Sequence, residues 1–115
     1  MSTAITIRNN PERLRFEVLD GDTAIGQAAY VDDGDGRRIF YHTVIDEEYG
    51  GQGLAGRLAA RALDETVAAG LKIVPVCPYI KSYLEKNSRY ADSSQRPTPA
   101  LLEVLNNALA QRARR

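Results

Sequence analysis

One stretch in the middle of the chain, Gly50-Gly51-Gln52-Gly53-Leu54-Ala55-Gly56, limits the fold more than any other. Before it, apolar and polar residues alternate with the period of two that a half-buried strand needs, as in Ile5-Thr6-Ile7 and Leu14-Arg15-Phe16-Glu17-Val18. After it, Leu54, Leu58 and Ala62 recur at helical spacing with Ala55, Ala59, Leu63 and Val67, and Arg57, Arg61, Asp64 and Glu65 fall opposite. A chain that changes period across a glycine cluster leaves a strand, turns sharply and starts a helix there. The first N–H groups of a helix have no partner inside it, and the positive end of the helix dipole lies among them. The loop is therefore suited to hold an anion. The competing interpretation is a glycine turn that only packs a helix close to a sheet, which would need fewer than four glycines in the stretch.

The flanks complete the pattern. Ile25 to Val31 reads as a third strand, weakened by Gly26, and Asp32-Asp33-Gly34-Asp35-Gly36 forms a polar hairpin loop into a fourth, Arg38 to Ile45. Asn9-Asn10-Pro11 and Asp20-Gly21-Asp22 read as turns, and such short connections make these strands antiparallel. Gly70 stops the helix, and Leu71 to Val76 forms a short apolar strand. Pro78 suits the first turn of a second helix that runs to Lys86. Ser88 to Arg96 is polar and irregular. Thr98-Pro99 reads as a cap and first residue of a third helix, with Leu101, Leu102, Leu105 and Leu109 on one face, and Arg112 to Arg115 as a solvated basic tail. The expected fold is α+β: a mixed sheet of about five strands, mostly antiparallel, with three helices. Residues 1–96 would form the domain, and the helix and tail of 97–115 would pack on it.

Bulk properties exclude several classes. A chain of 115 residues makes one domain. Lys+Arg and Asp+Glu balance at 15 each, so the molecule as a whole has no pull on nucleic acid or an anionic membrane. The opening residues show no secretory signal, and no stretch approaches the roughly 18–20 consecutive apolar residues of a membrane helix. A single cysteine, Cys77, has no internal disulfide partner, which suits the cytoplasm. One His and one Cys are too few for a zinc site, so no metal is expected. Gly51, Gly53 and Gly56 satisfy the spacing of a dinucleotide-binding loop, but no carboxylate ends the next strand at Val76-Cys77. Arg57-Leu58 stands where a P-loop has its Lys-Ser/Thr pair. Both nucleotide interpretations fail.

A different resemblance covers most of the chain. Tyr49-Gly-Gly-Gln-Gly-Leu-Ala-Gly-Arg-Leu58, following Tyr41-His-Thr-Val-Ile-Asp46, resembles the pyrophosphate loop of the GNAT superfamily of N-acetyltransferases. That superfamily's pattern, Arg/Gln-x-x-Gly-x-Gly/Ala, falls on Gly50, Gly53 and Ala55; the last two match, and Gly50 lacks the long polar side chain. The chain is most similar to a compact single-domain subgroup with a His-Thr pair before the loop, here His42-Thr43, and a Cys-x-Tyr segment after the next strand, here Cys77-Pro-Tyr79. The resemblance implies transfer of an acetyl group from acetyl-CoA to an amine. It implies a cofactor site made by Val44, Ile45, Gly50, Gly51, Gln52, Gly53, Leu54, Ala55 and Asn87, with acetyl-CoA as acyl donor and an unknown amine as partner; the lack of a long apolar run adds that no membrane partner is expected.

Acetyl transfer needs a base for the ammonium proton, an acid for the departing thiolate and donors for the oxyanion. Tyr83 falls where the superfamily has its general-acid tyrosine, though the Gly-Phe pair that usually follows is absent; otherwise it is a helix aromatic packed on the sheet. Cys77 ends a strand just before a helix, a place that favours thiolate, so it could accept the acetyl group; otherwise it is a small buried apolar residue. His42, the only histidine, suits a general base and by alternation shares a strand face with Phe40 and Val44; otherwise it is a structural residue hydrogen-bonded to backbone. Asp46, Glu47 and Glu48 are alternative bases or simply a solvated strand end. Two other functions compete: an acyl-CoA-binding sensor or partner module without turnover, favoured by Gly50, and a nucleic-acid-binding domain using Arg37-Arg38 and the C-terminal arginines.

Overall fold

A computed structural model describes residues 4–113. Met1-Ser2-Thr3 at the start of the chain and Arg114-Arg115 of the expected basic tail lie outside the described residues. Four strands, β1 (Ile5–Asn10), β2 (Arg15–Asp20), β3 (Thr23–Asp32) and β4 (Arg37–Ile45), form an antiparallel meander. A short 3-10 turn (Glu47–Tyr49) and the glycine loop lead to α1 (Leu54–Ala68), which crosses back to β5 (Lys72–Pro75). That strand lies parallel to β4 and completes a five-stranded sheet in chain order. Next come α2 (Pro78–Lys86), a 3-10 segment (Ser88–Ser93) and α3 (Pro99–Ala113). The sheet is mixed and mostly antiparallel, the α+β arrangement expected from the change of period. Among the described residues, no helix is long and apolar enough to cross a membrane.

Each face of the sheet has its own core. On one, Phe16, Val18, Ala28, Tyr30 and Phe40 meet Leu54, Leu58, Ala62 and Leu63 of α1, Ile80 of α2 and Tyr90. On the other, Val31, Ile39 and Val74 meet Leu101 and Leu105 of α3. Burying each large side chain contributes roughly 1.5–3 kcal/mol. Thr66, buried in α1, satisfies its hydroxyl on the Ala62 carbonyl at 2.7 Å. Thr98 caps α3 as expected, accepting the Leu101 N–H at 3.2 Å on its hydroxyl, but Leu102 points away from the packed face and is exposed. Two further expectations need correction. β1 runs on through Asn10, which pairs with Arg15, because Tyr30 Oη donates to Asn9 Oδ1 at 2.8 Å and holds that end extended. Ser88 to Arg96 is not wholly irregular: its first six residues coil as a 3-10 turn that buries Tyr90.

Two features of β4 shape the site. Ala29 pairs with His42 while Tyr30 pairs with Phe40, so Tyr41 is an extra residue, a β-bulge. The β4–β5 ladder ends at Phe40↔Pro75, where the N–H groups of Val76 and Cys77 both donate to the Phe40 carbonyl at 2.9 Å. Beyond that point, Tyr41 to Ile45 have no β5 partner, and the two strands part.

Candidate functional site

The glycine loop is held at its entrance. Asp46 N–H donates to the Ile25 carbonyl at 2.8 Å and Gly50 N–H to the Glu47 carbonyl at 2.9 Å. Tyr49 Oη donates to Asp20 Oδ2, tying the loop to the β2–β3 turn. That hydrogen bond, more than burial or the surrounding carboxylates, pushes the Tyr49 phenol up to about 12. Gly51 and Gly53 then take φ of 80° and 73°, where other residues are strained. A Cβ on either would meet nothing within 4 Å, so both face open space.

The consequence is a run of free donors. Among the described residues, no acceptor takes the N–H groups of residues 51–56; the ladder of α1 begins with Arg57 N–H on the Gly53 carbonyl at 3.2 Å. Gly51 and Gly53 are in the left-handed conformation, and these unpaired N–H groups lie at the positive end of the α1 dipole. Leu54 offers only its main chain, since its side chain is in the core. Gly50 is extended, and Gln52 is exposed.

Val44 and Ile45 lie on the part of β4 that pairs with β3 but has no β5 partner, Val44 exposed and Ile45 packed on the α1-side core. The bulge at Tyr41 changes the phase of the strand, which corrects the expected face of His42. Phe40 points to the α1 side, whereas His42, opposite Ala29, shares the other face with Val44 and is exposed. Thr43, opposite Ala28, returns to the α1 side and accepts a hydrogen bond from the Cys77 thiol at 3.4 Å. Cys77 occupies the N-cap of α2 with only 4% exposure and no capping bond of its own. His42 and Cys77 therefore flank the gap between β4 and β5 from opposite faces of the sheet.

The other expected residues lie further along α2. The Tyr83 ring is half-buried against the core, 6.4 Å from Tyr79 and 6.3 Å from Tyr90 between centroids. Asn87 ends the helix, with its amide donating to the Tyr83 carbonyl at 2.8 Å. Asp46, Glu47 and Glu48 are exposed beside the loop. Arg37 and Arg38, considered for nucleic acid, are engaged by Asp33 at 2.7 Å and Asp32 at 2.8 Å, and Arg38 also stacks on the Tyr30 ring.

Sequence reasoning missed three groups. Thr43 and Tyr79 belong to the motifs read from the chain, but their partners come from tertiary placement. Tyr79, 37% exposed, brings its hydroxyl over the first turn of α1, 3.9 Å from where a Cβ on Gly56 would stand. Tyr49, next to the loop, gave no signal for its bond to Asp20, since hydrogen bonds across 29 residues leave no local pattern.

Residues 15–93 match the family described as GCN5-related N-acetyl-transferase. The chain is 35% identical over 106 residues to protein NATD1 of Mus musculus, an alignment covering 88% of this chain and 84% of that protein. Protein NATD1 of Homo sapiens gives the same identity, with 88% and 82% covered. The NMR solution structure of a GCN5-like protein from Staphylococcus aureus resembles the fold with a TM-score of 0.64 at 23% identity, over 84% of this chain and 94% of that one.

Proposed function

The chain belongs to the GCN5-related N-acetyltransferase family, and on that premise we propose that it transfers an acetyl group from acetyl-CoA to an amine. The observation that carries the proposal is the set of unpaired N–H groups of residues 51–56 beside the parted strands. Such donors suit a diphosphate, and the glycines leave it room to approach the main chain. Gly50 and Gln52 border the cradle, and Leu54 and Ala55 extend it along the helix. We assign Val44 and Ile45, on the stretch of β4 that has no β5 partner, to the coenzyme's amide-bearing arm, and Asn87 to its far side. When bound, acetyl-CoA supplies an acyl group activated as a thioester.

The remaining roles fall to side chains around the gap. His42, exposed on the face away from α1, takes the proton from an incoming ammonium. Cys77, its thiol oriented by Thr43, serves as an acyl acceptor: its sulfur bonds the acetyl carbon as the donor's C–S bond breaks. Its proton replaces the one Tyr83 gives up, and the amine then displaces the cysteine sulfur to take the acetyl group. Tyr83 protonates the departing thiolate. A free, buried cysteine suits a reducing compartment, and we assign the protein to the cytosol on that ground.

Gly50 and the burial of Cys77 favour a second reading, acyl-CoA binding without turnover. One experiment separates the two. The protein is incubated with acetyl-CoA and a panel of polyamines, amino acids and basic peptides while free thiol is followed. Release that depends on one of these amines supports transfer, whereas binding of acetyl-CoA with no release across the panel supports the module. Intact-mass analysis after acetyl-CoA alone tests the covalent route: the wild type gains one acetyl group and Cys77→Ala gains none. Equal labelling of both, or no labelling of the wild type, removes Cys77 from the route.

A further inference from the structure

We propose that Tyr79 is a direct contact to the coenzyme, its hydroxyl donating a hydrogen bond to the stretch that joins the diphosphate to the pantetheine arm. This rests on the reading above that acetyl-CoA binds at the glycine loop. Pro78 starts α2 directly after Cys77, so Tyr79 projects from the helix end nearest the thiol. Its hydroxyl reaches the first turn of α1 at Gly56, within the run of free N–H groups. The ring thus spans the space between the phosphate cradle and the Cys77–Thr43 pair. A coenzyme with its diphosphate on one and its thioester at the other must pass it.

The state of the hydroxyl supports the assignment. Tyr30, Tyr49 and Tyr90 donate to Asn9, Asp20 and Asp64, and the Tyr41 oxygen accepts from Arg112. Among the described residues, the hydroxyls of Tyr79 and Tyr83 alone have no such partner; the two rings pack side by side, and of the two it is the Tyr79 hydroxyl that reaches α1. Burial, and then the neighbouring Tyr83, raises its pKa, so it stays protonated as a donor across the neutral range. Tyrosine suits the task because its apolar body covers the arm while its tip bonds a polar atom. A Cβ on Gly56 would stand 3.9 Å from this hydroxyl, ordinary contact distance, so the hydroxyl lies directly over the first turn of α1.

Tyr79→Phe tests this while keeping the ring. Calorimetric titration with coenzyme A is compared with titration by adenosine 3′,5′-bisphosphate, which lacks the segment that passes Tyr79. The expected result is a roughly tenfold weaker affinity of Tyr79→Phe for coenzyme A, the size of one hydrogen bond to a charged or strongly polar group, with affinity for the bisphosphate unchanged. Equal coenzyme A affinity in variant and wild type overturns the proposal. So does an equal loss for both ligands, which would mean a loosened loop. If the wild type itself fails to bind coenzyme A, the underlying acyl-CoA reading falls first and this one with it.

Discussion

Gly26 should resist replacement because of what lies across the sheet from it. It pairs with Ile45, and a methyl added there would stand 2.4 Å from Ile45 Cδ1, 3.0 Å from the Val44 carbonyl oxygen and 3.4 Å from Ile45 Cα. The Cδ1 contact can be relieved by turning the side chain, at about 0.5–1.5 kcal/mol if it leaves its rotamer. The carbonyl has no such freedom, so β4 must retreat by a few tenths of an ångström. Overpacking of this kind costs about 1–3 kcal/mol, and the stiffer unfolded chain of an alanine variant returns about 0.5–1. Gly26→Ala is therefore expected to lose about 1–2 kcal/mol and several degrees of Tm. Urea unfolding should show a lower midpoint with an unchanged slope. The strand that retreats carries Val44 and Ile45, so coenzyme A affinity should also fall. A variant as stable as the wild type would refute the reasoning, and Gly26 would then be a weak strand residue and nothing more.

Gly53→Ala tests the opposite kind of glycine. Nothing crowds a Cβ at this position, so the cost is the left-handed backbone alone, about 1–2 kcal/mol, and Gly53→Asn should recover part of it. If the loop relaxes to relieve that strain, its N–H groups turn away and coenzyme A affinity drops at least tenfold; calorimetry showing unchanged affinity in the alanine variant would detach the conformation from binding. Acid should weaken the fold through buried carboxylates. Burial alone would raise the pKa of Glu17, but hydrogen bonds from Arg15 and Asn10 and the charges of Arg15 and Arg8 outweigh it and hold it below 4.5. Burial likewise opposes, and Arg37 with the Asp35 and Arg37 N–H groups prevails, at Asp33, held below 3.8. Both are depressed acids, so their contribution is complete above those ordinary values and is lost as pH falls through the lower folded ones. The urea midpoint should fall on acidification below about pH 4.5, less steeply in Glu17→Gln, and a midpoint flat from about pH 6 to 3 would contradict the assignment.

The order of elements was legible because its signals are local. The change of period at Gly53, the proline that opens α2 and the Thr98 cap each act within a few residues. Tyr90 was unreadable as a core residue since its hydroxyl is satisfied by Asp64, 26 positions away. A polar stretch gains a buried aromatic only when the fold supplies that carboxylate. The site divides the same way. Glycines at 51 and 53 announce a sharp turn into a helix by composition, whereas the neighbours of Thr43, Tyr49 and Tyr79 are set by three different tertiary contacts.

His42 shows what a strict two-residue period conceals. Alternation assumes an unbroken ladder, and a bulge breaks it at a point chosen by the partner strand, not by the bulged residues. Here the extra residue, Tyr41, follows Phe40, the last residue of β4 to pair with β5. One inserted position thus does two things: it lies where the strands part, and it reverses which side chains face α1. Without it, His42 would point into the aromatic cluster around Phe40 and Thr43 would point away from Cys77. With it, the thiol lies on the α1 side, as does the glycine loop that opens that helix, and the imidazole is open to solvent on the other. In the proposed reaction this separates donor from acceptor: the coenzyme is held along α1, and an amine reaches the gap from the opposite face, where His42 can take its proton without competing with the diphosphate for space.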